Sequence, residues 1–90
     1  SDFRKGCPIA TLTLEAAGDY PGIQACSAAI YQDWQSLLSR KWQAQGVPVD
    51  VADGKASTLL ALLEGALLLA RARRSTEPLQ TTLTAANALI

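Results

Sequence analysis

The chain has ninety residues, with eight acidic and eight basic side chains and a formal net charge of zero. This balance argues against direct binding of nucleic acid, which normally needs a basic surface. The sequence contains no histidine and only two cysteines, which removes the commonest general base and leaves too few ligands for a zinc site. We therefore expect neither an enzyme nor a protein that holds a metal or cofactor.

Apolar residues make up 49% of the chain and aromatic residues only 6%, and the abundance of leucine and alanine favours helices. There is no methionine, so we expect these residues to be one domain of a longer protein. The beginning does not resemble a signal or transit peptide. The most apolar stretch, residues 56–70, contains Glu64 and is too short to cross a bilayer. We expect two reduced thiols and a cytoplasmic location.

The first predicted helix runs from about Pro8 to Ala17. A proline suits the first turn of a helix, where its missing N–H costs nothing, and Gly18 suits the left-handed position after the last residue. Residues 9–14 also alternate in a way that fits a strand. The alanines and the two end signals favour the helix.

The second predicted helix begins at Pro21, with Asp19 as the expected cap, and ends before Gly46 and Pro48. Its apolar residues recur at steps of three and four, which places them on one face. These residues are Ile23, Cys26, Ile30, Trp34, Leu37, Leu38 and Trp42. Core packing is the expected role of the tryptophans and tyrosines, and an apolar ligand pocket is the alternative.

Residues 46–54 are expected to form a connecting loop. Three valines alternate before Asp53 and Gly54, as in a hairpin, but no matching strand follows. Either Asp50 or Asp53 is expected to cap the next helix.

The third predicted helix, about 55–74, is apolar on almost every side. Such a helix must be buried on every side, and a four-helix domain of this size is unable to cover it alone, so we expect a partner chain. Ala61, Gly65 and Ala72 lie roughly along one line, where small side chains let another backbone come close. Arginines in the last turn complement the helix dipole.

A carboxylate among these leucines, that of Glu64, is costly to bury without a partner. We expect an arginine or a hydrogen bond at a subunit interface to satisfy it, and contact with a ligand is the alternative.

The fourth predicted helix, 78–90, has Pro78 in its first turn and Ser75 or Thr76 as its cap. Its shared apolar face consists of Leu79, Leu83, Ala86 and Ile90.

Two segments resemble a known family. Residues 2–10, which contain Gly6-Cys7-Pro8, together with residues 14–17, resemble the beginning of the C-terminal domain of TetR-type transcriptional repressors, in the branch that includes LmrA and YxaF. Residues 62–71, Leu-Leu-Glu-Gly-Ala-Leu-Leu-Leu-Ala-Arg, resemble the penultimate helix of that domain. Pro78 after Ser75 fits the start of the last helix, so the resemblance covers essentially the whole chain.

The resemblance implies an all-α, antiparallel bundle of about four helices in which residues 1–90 bind an inducer and form a homodimer. The family's helix-turn-helix domain would precede Ser1, and DNA would be bound only there. The last two helices of each subunit form the family's dimer interface, and the earlier helices help to wall an apolar pocket. A small apolar effector would favour a dimer geometry that no longer fits the operator half-sites.

Carried onto this sequence, the resemblance and the apolar pattern predict two sets of residues. The dimer contact is expected at Ala61, Gly65, Leu68, Leu69, Leu79, Leu83 and Ala86. The ligand pocket is expected at Leu12, Ile30, Trp34, Leu38 and Leu63. Two other classes stay open: a purely structural helical dimerisation module without a ligand, and a helical enzyme fragment, for which the sequence offers no carboxylate or lysine site.

Overall fold

The computed structural model describes residues 7–16 and 18–89, without the side chains of Leu12, Ala16 and Leu89, and this part of the chain forms four helices. The helices are α1 (Pro8–Ala16), α2 (Pro21–Ala44), α3 (Val49–Arg73) and α4 (Glu77–Leu89). Helix α3 packs against both α2 and α4, and α1 packs against α2. The prediction of an all-helical domain is confirmed, whereas the predicted ends at Ala17 and Ile90 lie outside the described residues.

Prolines and left-handed residues mark the helix ends. Pro8, Pro21 and Pro78 each lie in a first turn, and Gly46 has a φ of 95° after the end of α2. The hydroxyl of Ser75 accepts a hydrogen bond from the backbone N–H of Glu77 at 3.1 Å. The prediction that Ser75 or Thr76 caps the start of α4 is thus confirmed for Ser75. Local backbone chemistry was sufficient to predict these positions.

The cap predicted for α2 is wrong. Tyr20, and not Asp19, is the residue that precedes the first turn, and no side chain caps it. The proline at the start of the helix removes one of the backbone donors that a cap would otherwise satisfy.

The predicted loop at 46–54 is also wrong, because α3 begins at Val49. Pro48 precedes its first turn, and neither Asp50 nor Asp53 is the cap. The valines and Gly54 are poor helix formers, but this segment packs against α2 and that contact outweighs their local preference.

The contact between α2 and α3 is built from small side chains. Ala52 and Ala56 are completely buried, and Ser39 is 1% exposed. The Ser39 hydroxyl donates to a carboxylate oxygen of Asp53 at 2.6 Å and accepts from Nε2 of Gln43 at 2.9 Å. Because the Ser39 hydroxyl has partners on both helices, α2 and α3 can approach closely at this point without leaving it unpaired.

The buried face of α2 is turned relative to the predicted stripe. Ser27 and Ser39 are its buried residues, whereas Cys26 and Leu37 are exposed. Small side chains of α2 occupy the close contact with α3. The larger residues of the predicted stripe therefore lie toward the edge of that contact.

Apart from Pro78, the buried apolar side chains of the described residues are all alanines. They are Ala52, Ala56, Ala66, Ala70 and Ala86. The chain measures 39 × 34 × 17 Å along its principal axes, and helices pack about 8–10 Å apart. A body that is about two helices thick encloses small residues and leaves large ones partly exposed.

Candidate functional site

Three leucines on α3 and α4 are more than half exposed, and we refer to them together as the leucine surface. Leu68 is 58% exposed, Leu69 55% and Leu83 53%. A single chain gains little from leucines in these positions, because about half of their apolar area stays in water. The leucine surface is therefore available for contact with another molecule.

The other residues predicted for the dimer contact differ in exposure. Ala61 is exposed, Gly65 and Leu79 are half-buried, and Ala86 is only 3% exposed. Ala86 is thus already covered by its own chain and lies beneath the surface that a partner could touch. A Cβ atom built on Gly65 would meet no atom within 4 Å, so this glycine is not required by packing within the chain.

A second feature is an open groove between α2 and α3, with a volume of about 660 Å³. Its lining residues are Trp34, Leu37, Leu38, Arg40, Lys41, Ala44 and Leu60. This volume falls within the range of small-molecule sites, roughly 300–1,000 Å³. The groove is mainly apolar and has two basic residues toward the C-terminal end of α2, and we call it the α2–α3 groove.

The structure brings together two of the five predicted pocket residues, Trp34 and Leu38, in the α2–α3 groove. Ile30 and Leu63 are half-buried and do not line it, and the side chain of Leu12 lies outside the described part. Sequence reasoning missed the other five lining residues, which are Leu37, Arg40, Lys41, Ala44 and Leu60.

The missed lining residues had a partial signal in the sequence. Trp34, Leu37, Leu38 and Lys41 are spaced three, four and seven apart, which places them on one helix face. Which residue of α3 faces them depends on how the two helices pack, so Leu60 had no such signal.

A polar group lies beside this groove. The rings of Tyr31 and Trp34 pack edge to face with their centroids 5.5 Å apart. Burial raises the pKa of Tyr31 to about 12, with further contributions from the negative charge of Glu64 and from Cys7, both of which hydrogen-bond with the phenol. Among the described residues, Oε2 of Glu64 is buried and has no hydrogen-bond partner.

The chemistry of the described residues is limited. Both described cysteines are free thiols, and no group of three or more Cys, Asp or Glu side chains in this part of the chain is arranged to hold a metal ion. None of the four helices, over the range described, is long and apolar enough to cross a membrane.

Comparison with known proteins identifies relatives. Residues 1–85 match the sequence profile of the C-terminal domain of LmrA/YxaF-like transcriptional regulators. Two uncharacterised HTH-type transcriptional regulators of Mycobacterium tuberculosis, from strains CDC 1551 / Oshkosh and ATCC 25618 / H37Rv, are each 39% identical over 84 residues. The alignment covers 88% of this chain but only 43% of each relative, so the chain spans less than half of their length. No solved structure matches it.

Proposed function

The chain belongs to the TetR-type family of LmrA/YxaF-like C-terminal domains of transcriptional regulators, and on this premise we propose that it pairs two copies of a repressor and senses a small apolar molecule. Its family is one of regulators and not of enzymes. The leucine surface is the observation that carries the proposal. DNA would be bound by another part of the whole protein, which we place in the cytoplasm.

Burial of the leucine surface would provide a substantial part of the association energy. Fully burying a leucine contributes about 1.5–3 kcal/mol, and each of these three side chains is slightly more than half exposed. In a symmetric pair both copies contribute the same surface. The gain is roughly 5–10 kcal/mol, which is similar to the cost of bringing two molecules together. A second copy of this chain therefore fits the surface as a reversible partner.

Pairing can be tested with two matched glycine substitutions in α3. Gly65 lies among the residues proposed for the dimer, and Gly54 lies on the same helix face about 16 Å closer to the N-terminus. Neither position has an atom within 4 Å of a Cβ built on it. We expect wild type to be a dimer in sedimentation equilibrium, Gly65→Glu to be a folded monomer, and Gly54→Glu to remain a dimer. A wild type that stays monomeric at high micromolar concentration would contradict pairing.

Ligand sensing is supported by the position of the α2–α3 groove. Leu60 of α3 lines the groove, and the same helix carries Leu68 and Leu69 of the leucine surface. A ligand that contacts α3 in the groove can therefore favour one arrangement of the two copies over another, provided that it binds the arrangements with different affinity. In the whole repressor such a shift would change the spacing between the DNA-binding domains of the pair.

An apolar probe tests the groove. Butylbenzene should quench the fluorescence of Trp34, measured in a Trp42→Phe background. Leu37→Gln should weaken binding because Leu37 lines the groove. Leu83→Gln should leave binding unchanged, since Leu83 is similarly exposed but lies in the leucine surface. If neither butylbenzene nor other apolar compounds bind, the domain is a purely structural dimerisation module.

A further inference from the structure

The α2–α3 groove carries positive charge. Arg40 and Lys41 line it together with five apolar residues, and none of the described residues that line it is acidic. Both basic side chains are exposed. The methylene stems of such side chains extend an apolar wall while their charged ends stay in water. Because the chain as a whole has a formal net charge of zero, this excess of positive charge is a property of the groove and not of the whole molecule.

The described part of the chain does not neutralise these two cations. Neither forms an ion pair with a carboxylate there. Asp53 of α3 contacts α2 by accepting a hydrogen bond from Ser39, and not through the cations. Nε of Arg40 donates to the backbone oxygen of Ser36 at 3.3 Å, which uses one of the five N–H groups of a guanidinium. The other donors of Arg40 and the ammonium group of Lys41 are therefore available to an anion.

The residues of α2 that line the groove change from apolar to basic along the helix. Trp34, Leu37 and Leu38 come first, and Arg40 and Lys41 follow within the next turn. The step of seven residues from Trp34 to Lys41 corresponds to a rise of about 10 Å. A molecule that matches this order has a hydrocarbon part of similar length and a negative charge at one end.

Resting on the proposed ligand sensing, we propose that the α2–α3 groove binds an amphiphile with one carboxylate, whose tail lies against Trp34 and whose carboxylate contacts Arg40 and Lys41. A carboxylate accepts charge-assisted hydrogen bonds from both kinds of cation, and a guanidinium can donate two in parallel. Since both cations are exposed, the carboxylate can stay partly hydrated, which avoids the cost of burying a charge. The apolar wall provides affinity, and the basic pair selects the head group.

Three probes with tails of the same length test this selection: decanoate, decanol and decylamine, which are anionic, neutral and cationic at neutral pH. Their affinities for the ninety-residue chain would be measured by calorimetry and by Trp34 fluorescence in the Trp42→Phe background. Because exposed ion pairs are weak, we expect decanoate to bind roughly three- to tenfold tighter than decylamine at low salt. Added salt should reduce this ratio by screening the charges. Decylamine that binds as tightly as decanoate, or tighter, would overturn the inference.

Two matched pairs of substitutions assign the preference to the groove. Arg40→Gln with Lys41→Gln should abolish the preference for decanoate over decylamine and leave the affinity for decanol nearly unchanged. Arg73→Gln with Arg74→Gln removes as much positive charge at adjacent exposed positions outside the groove and should keep the preference. A groove variant that keeps the preference, or a control that loses it, would contradict the assignment.

Circular dichroism would check that both double variants fold. If the groove variant does not, the wild-type ratio of decanoate to decylamine affinity and its dependence on salt still decide. Failure of all three probes to bind would contradict ligand sensing itself. Binding without a preference for decanoate would contradict only the role of Arg40 and Lys41.

Discussion

The α2–α3 contact and the leucine surface show opposite relations between side-chain size and burial. In the contact, alanines and a serine are buried, and hydrogen bonds satisfy the hydroxyl of the serine. On the leucine surface, three of the most apolar side chains remain more than half exposed. In a domain only about two helices thick, close approach selects small residues for the interior. The large residues then need another molecule to cover them.

The largest expected effect separates pairing from folding. Replacing Leu68 and Leu69 together by lysine removes four half-exposed leucines from a pair and should weaken association by roughly 3–7 kcal/mol. The monomer should keep its helical content, because the new side chains remain in solvent. Sedimentation equilibrium measures the association. Val49→Lys with Val51→Lys is the control, since these valines are 56% and 49% exposed on the same helix; a similar loss in this control would contradict a localised surface.

The next largest effect is expected in the α2–α3 contact. Ala56 is completely buried between α2 and α3, so Ala56→Leu overfills a close contact and should lower the free energy of unfolding by about 1–3 kcal/mol. Ser57→Leu, one residue along on the exposed side, should cost little. Urea denaturation at a single protein concentration would compare them. If the larger side chain at Ala56 were tolerated, size would not be what selects the interior residues.

A smaller effect is expected for the hydrogen bonds in that contact. Ser39→Ala removes the hydroxyl that donates to Asp53 and accepts from Gln43. The expected cost is about 1 kcal/mol in the free energy of unfolding. Ser36→Ala serves as the control, because that hydroxyl is not part of these hydrogen bonds. Equal denaturation midpoints for the two variants would show that Ala52 and Ala56 hold the helices together without help from Ser39.

The smallest effect appears only at high pH and concerns Tyr31. Its phenol stays protonated in the folded chain up to a pKa of about 12, against an ordinary value of 10.0. The unfolded chain therefore loses this proton first as the pH rises. The contribution of Tyr31 to the free energy of unfolding is therefore fully present below about pH 10, and it declines as the pH rises from 10 to 12. Tyr31→Phe should abolish the late phase of the ultraviolet phenolate titration, and an unchanged titration would contradict the raised pKa.

The sequence predicted two of the six α2 residues that line the α2–α3 groove. Trp34 and Leu38 lie one turn apart on α2 and were expected to face the same pocket, as they do in the α2–α3 groove. Leu60 was not expected there, because its position depends on the packing of α3 against α2. The burial of the Glu64 carboxylate was anticipated as costly, but its neighbours depend on the positions of α1, α2 and α3 together.

Sequence alone determined the helical class, the family, and the helix ends that follow from local backbone chemistry. A proline at Pro21 and a glycine at Gly46 act on their own turn whatever the rest of the chain does. Tertiary structure decided the start of α3 at Val49 and the buried face of α2. Both depend on contacts between residues far apart in the chain, since packing against α2 outweighs the weak helix preference of the valines that open α3.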